Sequence, residues 1–225
     1  MASYQELVDA RKRCTICISR DPKLIVNGST HKFDPNVVSY WSQWLGNQHP
    51  DIVVVAQDFS NEKYFKENNG HDENNNRTNE MLRHLLAIAG IPVSKAPIPD
   101  RNAPIYLINS VLCLKTGGMD AQIKDSWVDS CADRHLRPLI GFLNPRIAVG
   151  MGVKGWRAVR RLYSLTCTPT RMRDFAGKSW TAANGTIVFG VGHCGPKGLA
   201  SRKQALQEAD WKRIGETVHH LSPRN

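Results

Sequence analysis

Two sets of residues in this 225-residue chain have types and spacings suited to chemistry. The first set is dispersed. Gln57-Asp58 follows one short apolar run, Asn109-Ser110 follows another, and Gly192-His193-Cys194-Gly195-Pro196 follows a third. A carboxylate can take a proton or balance developing positive charge. A carboxamide donates and accepts at once, and an imidazole can donate to a departing group. Singly, such residues are more often a helix cap, a turn residue or a packed histidine. At the ends of successive apolar runs they point to one catalytic rim. The second set is cysteine. Cys14 and Cys17 form a CTIC clip, Cys113 lies just past the second of those runs, and Cys131 follows after seventeen intervening residues. Four thiolates can hold zinc or an iron–sulfur cluster, and this spacing does not separate the two. The plainer alternative is that Cys113 and Cys131 are small buried hydrophobes.

The elements that must position these residues are legible as runs. Ile52–Ala56, Ile105–Ile108, Ile147–Val149 and Ile187–Val191 are apolar and rich in β-branched residues. Continuous runs of that kind suit parallel strands covered on both faces. Helical patterns lie between and after them: Arg77–Ala89, Ala121–Phe142, Lys154–Tyr163 and Ala200–Leu221. The alternation predicts a three-layer α/β/α domain over residues 1–225, with a central four-stranded, mainly parallel sheet. Open sheets of this class bind ligands at the carboxyl ends of their strands, where Asp58, Asn109 and His193 fall. Phe59–Thr78, rich in Asn and Glu and without periodicity, is predicted to be a long functional loop.

Composition narrows the partners. Thirty Lys and Arg against twenty Asp and Glu leave a net charge of +10, which favours a polyanion such as nucleic acid. The excess gathers in Arg157-Arg160-Arg161, Arg171-Arg173-Lys178 and Lys197-Arg202-Lys203. No run approaches the roughly 18 apolar residues of a membrane span, and the polar N-terminus has no signal-like apolar core. The expectation is a cytoplasmic monomer that does not enter membranes. Six cysteines in that setting suit metal or redox chemistry better than disulfides.

Taken together, the two sets resemble the uracil-DNA glycosylase superfamily, and its iron–sulfur branch in particular, over nearly the whole chain. VVVAQDFS (53–60) resembles the first active-site motif, with Ala56 and Phe59 where that motif has Gly and Pro. YLINSVLCLK (106–115) resembles the strand bearing the base-reading Asn and a cluster Cys, and DSCADRHLRPLI (129–140) the helix bearing the last cluster Cys. IAVGMGVKGWRAV (147–159) is similar to the superfamily's glycine turn and helix. VGHCGPKGLASR (191–202) stands in the place of its His-Pro-Ser motif.

The resemblance implies removal of uracil from single- or double-stranded DNA, after the nucleotide is flipped into a pocket. It assigns Asn109 to the uracil edge, His193 to donation onto O2, and Asp58 to the sugar's positive charge and the attacking water. Gln57 would contact the base through its backbone amide, and Phe59 would stack on it. Ser60, Ser201 and Arg202 would hold phosphates. Leu199 would wedge into the space left by the flipped base. Cys14, Cys17, Cys113 and Cys131 would ligate a structural [4Fe-4S] cluster. No nucleophilic Lys stands out, so the reaction expected is monofunctional, without strand cleavage. Cys167 and Cys194 receive no role. The rival of a different class is a non-catalytic iron–sulfur or zinc protein that binds nucleic acid through its basic face. A dithiol redox enzyme is a weaker one, since CTIC precedes every predicted strand.

Overall fold

The structure, a computed structural model, describes residues 2–39, 48–72, 76–91, 93 and 104–221. Two helices open the chain, α1 (Tyr4–Lys12) and α2 (Ile16–Arg20), followed by a short strand, β1 (Ile25–Val26). Helix α1 begins in a capping box, the Ser3 hydroxyl accepting from Glu6 N–H while the Glu6 carboxylate accepts from Ser3 N–H. The predicted strand β2 (Ile52–Ala56) follows, then α3 (Glu62–Glu67), α4 (Arg77–Ile88), β3 (Ile105–Asn109) and β4 (Leu114–Lys115). Next come α5 (Asp125–Cys131), a π-helical turn (Ala132–Leu136) and α6 (Arg137–Leu143), then β5 (Ile147–Met151) and α7 (Gly152–Leu162). The chain continues through α8 (Met172–Phe175), β6 (Lys178–Thr181), β7 (Ile187–Val191), α9 (Pro196–Ser201) and α10 (Gln204–His219).

The main sheet has five strands in the order β3-β2-β5-β7-β6, not the four expected. All neighbours are parallel except β6, which runs antiparallel to β7 along one edge. Alternate residues of β2 face opposite layers. Val53 and Val55 pack with α1, α5, α6 and α7, whereas Ile52, Val54 and Ala56 pack with α4 and α10. That two-sided burial is the three-layer α/β/α arrangement, and it explains why the parallel strands are apolar throughout. Helix α7 lies very close to the sheet: a Cβ on Gly155 would stand 2.1 Å from the Val55 carbonyl oxygen.

Three expectations need correction. The stretch from Phe59 to Thr78 is not one loop, because Asn61 caps α3 inside it by accepting from Tyr64 N–H. The C-terminal helical pattern breaks at Arg202 into α9 and α10. The helix expected from Ala121 starts at Asp125 and contains the π turn.

Candidate active site and thiol pocket

The chain leaves β2 for β3 on one side and later returns to β5 on the other. A crevice therefore opens beyond the carboxyl end of β2, where open α/β sheets place ligands. A cavity of about 170 Å³ lies there, walled by Gln57, Asp58, Phe59 and Ser60 after β2, Asn109 at the end of β3, and His193 after β7. One buried water needs roughly 10–15 Å³ on that measure, so the space suits a ring-sized ligand. The three strand-end residues expected to converge do so.

Asn109 is 1% exposed. Its backbone N–H donates to Ser39 Oγ at 3.0 Å, yet neither Oδ1 nor Nδ2 of its side chain has a hydrogen-bond partner among the described residues. An unpaired buried carboxamide costs roughly 1–3 kcal/mol, a cost that a ligand pairing both atoms would remove. Ser110 braces the neighbouring strand end by donating from Oγ to the Gln57 carbonyl at 2.7 Å.

His193 is held by its surroundings. Gly195 N–H donates to Nδ1 at 2.9 Å, so the neutral ring carries its proton on Nε2. Burial lowers the pKa of this imidazole, while the nearby Asp58 carboxylate raises it. Gln207 Nε2 donates to the His193 carbonyl at 3.2 Å. Gly198 leaves room for that same carbonyl, since a Cβ there would come within 1.8 Å of the oxygen. Cys194, for which the sequence suggested nothing, donates from Sγ to the Thr78 carbonyl at 3.4 Å and so ties this loop to α4. Burial pushes its thiol up to about 12.

Asp58 has two neighbours. Gln57 Nε2 donates to Oδ1 at 3.0 Å, and Lys115 Nζ stands 3.0 Å from Oδ2 in a pair whose side chains are 3% and 8% exposed. Lys115 is the lysine that sequence reading missed. Asp72 was missed as well. It lines the cavity and accepts from Tyr64 OH at 2.6 Å and Asn79 Nδ2 at 2.6 Å. Lys115 ends the 106–115 motif and Asp72 lies in the 59–78 stretch, but neither spacing shows which distant residues they meet. Phe59 is buried in the wall with its ring edge-on to Phe65 at 5.6 Å. Ser60 has φ 116°, a strained value for a residue with a side chain, and its Oγ is buried without a partner among the described residues.

Of the residues expected to contact DNA, Ser60 lines the cavity. Leu199, Ser201 and Arg202 stand outside its wall. Leu199 is half-buried on α9 and belongs to neither main core. Ser201 donates from its hydroxyl to the Lys197 carbonyl at 3.1 Å. The Arg202 guanidinium is committed to Asp210 through bonds of 2.6 and 2.7 Å. The basic cluster at 157–161 is likewise engaged: Arg157 pairs with Asp129, Arg161 with Asp133, and Lys154 with Asp125, zipping α7 to α5 and the π turn. These pairs tie the helices together and leave the Arg157 and Arg161 side chains 38% and 44% exposed.

A second pocket lies between the N-terminal helices and the exit from β3. Cys14, Cys17, Cys113 and Cys131 all line it, with Arg11, Arg134 and His135. Asn27, 3% exposed, holds the clip in place by donating from Nδ2 to the carbonyls of Arg11, Lys12 and Cys14. Asp21 accepts from Trp127 Nε1 at 2.7 Å, joining α2 to α5. Burial raises the thiols of Cys17 and Cys113 and pushes Cys131 up to about 12; for Cys113 the other three cysteines add to the effect. As placed, no three His, Cys, Asp or Glu side chains among the described residues gather around a single ion. Four cysteines lining one pocket are a donor set suited to zinc or an iron–sulfur cluster. Comparison of the chain with protein-family models finds no match, and comparison with curated proteins finds none.

Proposed function

We propose that the chain is a monofunctional DNA glycosylase that flips uracil out of DNA and hydrolyses its N-glycosidic bond, leaving an abasic site. The observation that carries this reading is the buried carboxamide of Asn109, without a partner among the described residues and placed in one cavity with Asp58 and His193. Uracil presents an N–H donor beside a carbonyl acceptor, which Oδ1 and Nδ2 of Asn109 would pair together. Cytosine presents the opposite order and would leave both groups unpaired. A site of that kind discriminates by roughly 10⁴-fold or more.

The chain's own residues then divide the work. The Nε2 proton of His193 would meet the negative charge that builds on O2 as the bond to C1′ breaks. A neutral donor serves that purpose, and the low pKa of the ring keeps it neutral. Asp58 would balance the positive charge on the sugar and orient the water whose oxygen bonds to C1′, typically a ~10²–10⁴-fold contribution. Phe59 would present its ring from the cavity wall. The thiolates of Cys14, Cys17, Cys113 and Cys131 would hold a [4Fe-4S] cluster, which when bound supplies a covalent crosslink between the N-terminal helices and the segment after β3. Ser60 and Ser201 keep the proposed phosphate contacts and Leu199 the proposed wedge, whereas Arg202 would act by fixing α9 to α10.

Single-turnover excision separates recognition from chemistry. Asn109→Asp cannot donate to O4 and should lose uracil excision while the protein stays folded. Retained wild-type excision by Asn109→Asp would remove the reading of the base edge.

A further inference from the structure

The cavity contains a buried cation to which the mechanism above gives no part. Lys115 sits on β4, whose pairing with Ile25 on one side and bridge to Asn61 on the other fix its backbone. Its ammonium donates to the Met119 carbonyl at 2.6 Å. Met119 lies in a turn closed by Ala121 N–H donating to Gly118 O at 2.9 Å. The same ammonium is 3.0 Å from Asp58 Oδ2, though not aligned as a hydrogen bond, so Oδ2 keeps a lone pair for another donor. The other carboxylate oxygen takes the Gln57 bond. Among the described residues, each oxygen of Asp58 thus has one polar contact.

A buried ammonium and a buried carboxylate tolerate burial only as a pair, and the pair adds little net stability over apolar residues of the same size. What it adds here is placement. The value of a charge in a reaction falls sharply with displacement, a 1 Å error costing on the order of 10²-fold. We infer that Lys115 is the positioning residue of the Asp58 carboxylate: it fixes where the negative charge stands in the cavity and acts on glycosidic cleavage only through Asp58. The inference rests on the glycosylase reading.

The test is a double-mutant cycle in single-turnover excision from uracil-containing DNA, using wild type, Lys115→Gln, Asp58→Asn and the double variant, each checked for an intact thermal transition. Lys115→Gln is expected to slow wild-type excision about 10²-fold and to slow Asp58→Asn no further. Should Lys115→Gln fail to fold, Lys115→Arg, which keeps the charge but moves it, carries the cycle with the same expected non-additivity. Equal fold-losses in both backgrounds overturn the inference, because Lys115 would then act independently of Asp58. So does a borohydride-trapped protein–DNA adduct that disappears in Lys115→Gln, since it would make Lys115 an attacking amine. Absence of excision by the wild-type protein fails differently: it removes the glycosylase reading itself, and the inference with it.

Discussion

At the scale of single residues, the account depends on where three side chains meet and in what protonation state. His193 has a pKa held below its usual value of 6.5 by burial. A depressed histidine stays neutral as pH falls toward the ordinary imidazole range, so excision that needs the neutral donor should hold steady from pH 8 down to about 6.5 and decline only below it. A single-turnover pH profile checks this, and a decline beginning above pH 7 would count against the neutral-donor role. His193→Ala should lower excision by at least about tenfold, and Asp58→Asn by about 10²–10⁴-fold, with DNA binding retained in both. The strand-end positions of Asp58, Asn109 and His193 were legible because three such residues each close a buried apolar run, although each alone has commoner uses. Lys115 and Asp72 were not legible, because their part depends on which distant residues they meet, and a lone Lys or Asp in sequence looks the same whether paired or solvated. Arg202 misled for the same reason: its type suggested phosphate, and Asp210, eight residues on and 1% exposed, claims it.

At the scale of elements, the parallel strands could be read almost to the residue. Ile52–Ala56 and Ile187–Val191 match the observed bounds, since burial on both faces forces unbroken apolar runs. β6 escaped because it is an edge strand, and Lys-Ser-Trp-Thr is mostly exposed and shows no buried run. The break between α9 and α10 escaped because no Gly or Pro marks it. The contact of α7 with β2 gives a stability prediction. Gly155→Ala would drive a methyl group into the Val55 carbonyl, so the helix must move away, at a cost of about 1–3 kcal/mol. Denaturant unfolding measures the loss, and an unchanged midpoint would contradict the packing described. The thiol pocket belongs to this scale too, because it joins α1 and α2 to the segment after β3 and to α5. Cys113→Ser or Cys131→Ser should lose both iron and folded stability together, since a structural metal contributes folding free energy. Elemental analysis that finds zinc and no iron in the wild-type protein would replace the cluster with a single-ion site.

At the scale of the whole molecule, the net charge of +10 already counts the acidic partners of the helix ladder, so the excess comes from basic residues outside it. The ladder of Asp125, Asp129 and Asp133 against Lys154, Arg157 and Arg161 consumes the densest basic cluster in helix packing. DNA affinity should still fall linearly with salt on logarithmic axes. Arg161→Gln should leave that slope unchanged, whereas a residue touching phosphate would reduce it by about one. A reduced slope for Arg161→Gln would return the ladder to the DNA footprint. Among the described residues, no helix is long and apolar enough to cross a membrane. The central claim, that Asp58, Asn109 and His193 form a uracil-excising site, is tested most directly by incubating the wild-type protein with uracil-containing DNA, and with otherwise identical thymine-containing DNA, and probing for abasic sites with hot alkali. The account predicts alkali-labile breaks at the uracil positions and intact strands before alkali treatment. DNA that is bound yet yields no abasic sites would contradict it and leave a nucleic-acid-binding protein without glycosylase chemistry.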